Sequence, residues 1–175
     1  MKNIVIGLLG FGNVGAGLAA ILKENSNQIT NTLGCSLTIK KVLVRNLSKY
    51  RNTIIPEECF TANADEIITD PEIDIIVELI GGIRPAYDYI KMALERHKHI
   101  VTANKAVMAL YGKELFDLAD KNGVSIKYEG SVGGGIPIIA SLTRSLAANQ
   151  TEEIVGIING TTNYILTRME EAGMS

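Results

Sequence analysis

KNIVIGLLGFGNVG, residues 2–15, runs an apolar stretch into three glycines spaced GxGxxG. The apolar stretch reads as a buried strand bounded by glycine, and Asn13 to Lys23 carries small and aliphatic residues at helical spacing. Between a strand and a helix each glycine has a physical task. Gly10 permits the tight turn, Gly12 lets backbone approach a pyrophosphate, and Gly15 lets the helix pack closely on the strand. The start of that helix offers free N–H groups and a partial positive charge to phosphates. A bare GxGxxG is a weak signal, but its setting makes Gly10, Phe11, Gly12, Asn13, Val14 and Gly15 a candidate dinucleotide loop. The competing reading is a tight strand–helix turn that binds nothing.

Strand-like and helix-like segments alternate along the rest of the chain, without an internal repeat or low-complexity linker. Strands are expected at Ser36–Arg45, Ile73–Ile80, His99–Ala103, Val124–Gly130 and Glu153–Ile158. Helices are expected at Ala64–Ile68, Arg84–His97 with Pro85 in its first turn, Gly112–Lys121, Ile138–Ala148 and from Thr162 onward. Alternation with continuously apolar strands predicts an α/β fold: a Rossmann-like, doubly wound parallel sheet covered by helices on both faces. Ligands of such folds lie beyond the carboxyl ends of the strands, at the switch point of the strand order. Those ends are GFGNVG, VRN, LIGG, TANK and YEGSVGGG.

Composition excludes several function classes. Net charge is −2 and aromatics make up 5%, so neither a basic footprint nor a set of stacking rings points to nucleic acid. No apolar stretch approaches the ~20 residues of a membrane span, and the run Ile4–Leu9 is too short for a signal peptide. Cys35 and Cys59 have no CxxC spacing, so free thiols in a reducing cytoplasm are expected. His97 and His99 flank a helix-to-strand junction and read as structural; Met92 and Leu94 read as core.

The end of the second strand bears on cofactor choice. NAD-selective sites usually place a carboxylate there, whereas a nearby arginine accommodates the 2′-phosphate of NADP. The strand ends VLVRN, Lys49 and Arg51 follow, and no Asp or Glu occurs between Glu24 and Glu57. Arg45 therefore favours NADP through paired guanidinium donors, while NAD can still bind; the alternative is a solvated basic loop. Lys105 stands on the same rim, after the fourth strand. An ammonium there could orient a substrate oxygen, stabilise an alkoxide or take part in proton transfer; the alternative is a lysine snorkelling from a helix start. Glu78 ends an apolar strand with no evident acid–base partner.

VELIGG (Val77–Gly82), HIVTANKA (His99–Ala106), YEGSVGGGIPII (Tyr128–Ile139) and NGTTNYILTRM (Asn159–Met169) together closely resemble homoserine dehydrogenases. The glycine loop and VLVRN fit the same family, and the resemblance runs through essentially the whole chain. It implies NAD(P)H-dependent interconversion of aspartate 4-semialdehyde and homoserine, a step toward threonine, methionine and isoleucine. It implies that Lys105 lies beside nicotinamide and substrate, that Gly81 joins the cofactor-binding set, and that Gly160 and Thr161 face the substrate. It further implies a structural sodium ion held by Glu129 and by backbone at Val132, Gly134 and Ile136, an oxygen-only set suited to a hard cation. The residue-level alternatives are a glycine turn before a helix at Pro137, and a threonine cap on the last helix.

Two departures from the family pattern stand out. Alanine is common where Gly130 stands, and the family's second catalytic lysine, with a substrate-binding Glu and Asp, has no counterpart here. The expected organisation is a nucleotide domain over residues 1–130 and the start of a catalytic domain over 131–175. The chain then reads as a fragment, incompetent for turnover alone, of a protein that is a homodimer or larger. Its segment beyond Thr151 would expose apolar surface. A Rossmann module that holds NADP without catalysis, and another semialdehyde- or imine-reducing enzyme, are the competing functions.

Overall fold

The computed structural model describes residues 2–50, 53–157 and 159–173. Arg51 and the side chain of Lys49, grouped above with Arg45, lie outside what it describes. The elements run β1 (Lys2–Leu9), α1 (Asn13–Glu24), α2 (Ser26–Leu33), β2 (Cys35–Leu43), β3 (Phe60–Thr61), α3 (Asp65–Ile68) and β4 (Ile75–Glu78). They continue with α4 (Ala86–Glu95), β5 (His99–Thr102), α5 (Lys105–Lys121), β6 (Ile126–Lys127) and α6 (Gly160–Ala172).

The strands form one parallel sheet in the order β3-β2-β1-β4-β5-β6. The chain winds outward from β1 to one edge and then crosses back to β4, so the switch point lies between the ends of β1 and β4. Side-chain alternation divides the core in two. Ile6 and Leu8 of β1 pack with Ala19, Val42 and Val77 under α1, while Leu9, Ile76 and Ile100 pack with Ile67, Ile90, Leu94, Val107 and Leu115 under α3, α4 and α5. The doubly wound expectation is thus met, with one exception. Val101 of β5 is 38% exposed, because α1 and α2 lie over β1 and β2 and no described helix covers β5 on that face.

Several sequence expectations are corrected. The segment 153–157 forms no strand and is wholly exposed, and Ile158 lies outside the described residues. β-branched residues there mimic a strand, but a strand needs a ladder partner and no described segment supplies one. The sixth strand is instead β3, two residues that fill an edge beside β2. α5 begins at Lys105 rather than Gly112, because Asn104 caps it by accepting from Val107 N–H. The helix expected over 138–148 is shorter: helical backbone at Ile139 and Ala140 passes into a π-type turn at Ser141–Ser145 and stops there. Val124–Gly130 shortens to β6, which pairs among the described residues with β5 alone. Asn159, not a threonine, caps α6 by accepting from Thr162 N–H at 2.9 Å. α2 lies outside the expected helices, since SNQITNTL carries only two apolar residues, Ile29 and Leu33, and none of its residues is buried.

Met92 and Leu94 do belong to the core. His97 and His99 are structural: His97 Nδ1 bonds to the Asn122 carbonyl, and His99 Nδ1 accepts from Ser125 N–H. No helix among the described residues is long and apolar enough to cross a membrane.

Candidate functional site

The glycine loop lies between the end of β1 and the start of α1. Gly10 has φ of 102°, in the region that favours glycine, and a Cβ there would stand 2.8 Å from the Leu79 carbonyl oxygen. A Cβ on Gly15 would meet the Gly10 carbonyl oxygen at 2.4 Å. Both glycines answer to close packing within the protein. Gly12 is different, since a Cβ there would meet nothing within 4 Å. As N-cap of α1 it offers no side chain, and the first turn contains no acidic residue. The leading N–H groups of α1 are left for an external acceptor, which suits a pyrophosphate.

A cavity of about 490 Å³ opens at this loop. Gly10, Phe11 and Gly12 form one wall, Val44, Arg45 and Asn46 another, and Ile80, Pro85 and Tyr89 a third. Phe11 is 7% exposed and stacks edge-on against Phe60, with ring centroids 5.2 Å apart, so its side chain anchors the loop in the core. Asn13 and Val14 are exposed on the first turn of α1. Arg45 is exposed, and its guanidinium forms no ion pair with a described carboxylate. The residues present fit a dinucleotide: an open approach at Gly12, bare helix N–H groups and a cation lining the same cavity.

On the same rim β4 and β5 end side by side, with Glu78 in register with Thr102. The LIGG turn follows β4 and places Gly81 and Gly82 in the open. After β5 the backbone turns through Ala103 and Asn104 into α5, whose first residue is Lys105. Lys105 is exposed and makes no ion pair with a described residue. Gly130 packs against this turn; a Cβ at 130 would lie 3.3 Å from Ala103 Cβ, so an alanine there needs a shift of a few tenths of an ångström.

Glu129 does work that sequence reading did not anticipate. Its Oε1 accepts from Ile139 N–H at 2.9 Å and its Oε2 from Ala140 N–H at 2.8 Å, clasping the start of the next helical turn. A second cavity, of about 410 Å³, adjoins it between Tyr128, Thr143 and Arg144. The Glu129 carbonyl accepts from Val132 N–H and the Ile136 carbonyl from Ile138 N–H, while the carbonyls of Val132 and Gly134 accept no hydrogen bond from a described residue. Gly160 and Thr161 open α6, where every described side chain is exposed. Among the described residues, no hydrogen bond or ion pair links either of them to the sheet.

The strand order, the uncapped helix at the switch point and the cavity beside it define a dinucleotide-binding Rossmann domain. The chain belongs to the homoserine dehydrogenase family: the model of that family's NAD-binding domain matches residues 10–129, and a second homoserine dehydrogenase model matches residues 137–175. Curated relatives include homoserine dehydrogenases of Bacillus subtilis, 45% identical over 97% of this chain, and of Synechocystis, 48% identical over 98%. The chain spans 39% of the length of each. A solved homoserine dehydrogenase from Thiobacillus denitrificans superposes with a TM-score of 0.92 at 44% identity, over 99% of this chain and 40% of that one. A hyperthermophilic archaeal homoserine dehydrogenase, solved in complex with NADPH, gives a TM-score of 0.68 at 26% identity, over 81% of this chain and 48% of that one.

Proposed function

We infer that this chain supplies the dinucleotide-binding part of an NAD(P)H-dependent oxidoreductase that interconverts aspartate 4-semialdehyde and L-homoserine. The observation that supports this best is the place of Lys105: exposed, unpaired with any described carboxylate, and on the rim beside the switch point. An ammonium at that position holds the substrate oxygen and favours the negative charge that builds as a carbonyl becomes an alkoxide. The chemistry that a nicotinamide dinucleotide would supply when bound is hydride transfer, to or from the carbon carrying that oxygen. The glycine loop would bind and orient it: Gly10, Phe11, Gly12, Asn13, Val14 and Gly15 would hold the pyrophosphate at the start of α1, and Gly81, exposed after β4, would join them. Arg45 selects NADP over NAD by pairing with the 2′-phosphate.

The division falls near residue 130, with residues 131–175 beginning the catalytic domain. The bounds of the two family matches support it. In that second part Gly160 and Thr161 present the exposed first turn of α6 to the substrate. The oxygen donors Glu129, Val132, Gly134 and Ile136 would hold sodium; two of their carbonyls are uncommitted, and an all-oxygen set suits a hard monovalent ion. Assembly into a homodimer or larger is supported by exposed apolar residues at Ile154, Val155, Ile157 and Leu166. A cytoplasmic enzyme accords with Cys35 and Cys59 both being free thiols.

The experiment is homoserine-dependent formation of NADPH by the full-length protein. Turnover with homoserine, and none with other hydroxy amino acids, is expected. Tight NADPH binding without any homoserine-dependent turnover would reduce the protein to a dinucleotide-binding module.

A further inference from the structure

Glu78 is completely buried, 0% exposed, at the end of an otherwise apolar strand. Carboxylates are almost never fully buried unless paired, and no cation pairs with this one among the described residues. Hydrogen-bond donors meet it instead. Its Oε1 accepts from Ile80 N–H at 2.8 Å and, more weakly, from Gly81 N–H at 3.4 Å. Its Oε2 accepts from the Thr102 hydroxyl at 2.7 Å. Thr102 Oγ1 also accepts from Asn104 N–H at 3.0 Å, so its single proton is directed to Glu78. Asn104 closes the ring, donating from Nδ2 to the Gly82 carbonyl at 2.7 Å while its Oδ1 caps α5. The residue after Asn104 is Lys105.

The LIGG turn and the TANK turn are therefore one hydrogen-bonded unit with a buried carboxylate at its centre. An apolar side chain would fill the end of β4 at no desolvation cost. What it could not do is tie the β4 turn to the start of α5. We propose that Glu78 is a positioning residue. It fixes the Ile80–Gly82 turn against the first turn of α5 and so sets where Lys105 stands relative to the nicotinamide half of the bound dinucleotide. The claim rests on the role given to Lys105 above; Glu78 itself touches neither substrate nor cofactor.

The test compares Glu78→Gln, Thr102→Val and Thr102→Ser in the full-length protein. Glutamine keeps the shape but sets an NH₂ against a donor, either Ile80 N–H or the Thr102 hydroxyl. Valine removes that hydroxyl and serine retains it. Glu78→Gln and Thr102→Val should lower homoserine-dependent kcat about 10- to 100-fold, the scale on which misplacement near reacting atoms acts, with Thr102→Ser within about 3-fold of wild type. Emission from bound NADPH, which reads the surroundings of its dihydronicotinamide ring, should change in the first two variants only. Affinity for 2′-phospho-ADP, which lacks that ring, should stay within about 3-fold of wild type throughout, since a fragment without the ring loses nothing when that half is misplaced.

A kcat loss matched by an equal loss of 2′-phospho-ADP affinity would overturn the proposal, because Glu78 would then merely maintain the fold. Unchanged kcat with unchanged emission would overturn it as well. Should Glu78→Gln not fold, the valine and serine variants carry the same comparison. If the wild type binds NADPH but does not turn over homoserine, the assigned reaction is wrong and the emission alone decides: a change supports positioning, its absence overturns it. A wild type that binds no NADPH defeats both.

Discussion

The carbonyl oxygen of Gly10 lies 2.4 Å from where a Cβ on Gly15 would sit, so the last glycine of the loop is needed by the first. The middle glycine has no such neighbour. The motif thus separates into a packing requirement and a ligand requirement, which different measurements can read. Gly15→Ala should cost about 1–3 kcal/mol of stability, the scale of overpacking, seen as a lower urea midpoint. Gly12→Ala should leave that midpoint near wild type, its φ of −82° being open to alanine. It should instead weaken NADPH binding at least about tenfold, a single methyl standing where a phosphate must approach. Equal stability losses in both variants would show that Gly12 answers to packing too.

Much of this arrangement is legible in the sequence, and what was hidden has a common cause. β1 and the glycine loop announce themselves because steric demands at Gly10 and Gly15 leave glycine as the residue that fits. Lys105 could be placed on the rim because TANK follows an apolar strand, yet the start of α5 was misplaced. Alanine and valine after it carry no clear period, and the Asn104 cap signals itself only through its bond to Val107. The edge strand β3 is two residues long and has no periodicity to read. Glu78 went unassigned because its partners are two backbone N–H groups and a hydroxyl 24 residues away, which no local pattern reveals. Residues 153–157 show the reverse error: local β character is present, but no described neighbour offers a ladder.

Lys105 stands at the start of α5, and no carboxylate among the described residues pairs with it. Replacing it should remove a charge that matters when the substrate oxygen becomes negative. Lys105→Ala in the full-length protein should lower kcat for homoserine oxidation about 10²- to 10³-fold, the range for loss of one group that stabilises developing charge. NADPH affinity, measured by titration, should stay within about threefold, because the glycine loop supplies most of the grip. Undiminished turnover would reject the role.

Arg45 lines the same cavity as the glycine loop, with no carboxylate nearby in sequence and none paired with it among the described residues. A guanidinium on a phosphate forms charge-assisted bonds, so Arg45→Ala should reduce NADP affinity by about 10- to 100-fold. NAD lacks the phosphate and should bind with nearly unchanged affinity. The ratio of the two dissociation constants is therefore the quantity to measure. An unaltered ratio would place the 2′-phosphate elsewhere.

At the opposite end of the sheet, away from the site, Lys40 bridges Asp70 and Glu72 with Nζ 2.6 Å from an oxygen of each. The hydrogen bond from Lys40 holds the Asp70 carboxyl below its usual range; partial burial works against this, and the Glu72 N–H at 2.9 Å assists it. The same bonds, from Asp70 first and Glu72 second, push the Lys40 ammonium above the ordinary lysine value. The signs follow from linkage. A carboxyl whose folded pKa is depressed adds stability that is complete above its unfolded pKa and disappears as pH falls through the folded value; the raised lysine adds stability that is complete below its unfolded pKa and disappears only as pH rises through its higher folded value. Both are fully present at neutrality. Asp70→Asn should therefore lower the urea midpoint at neutral pH, and the gap to wild type should narrow as the solution is acidified through and below the usual carboxylate range. Repeating the unfolding series across acid pH checks this: a gap of constant size down to the lowest pH would mean that Asp70 contributes by shape and hydrogen bonding rather than by its charge.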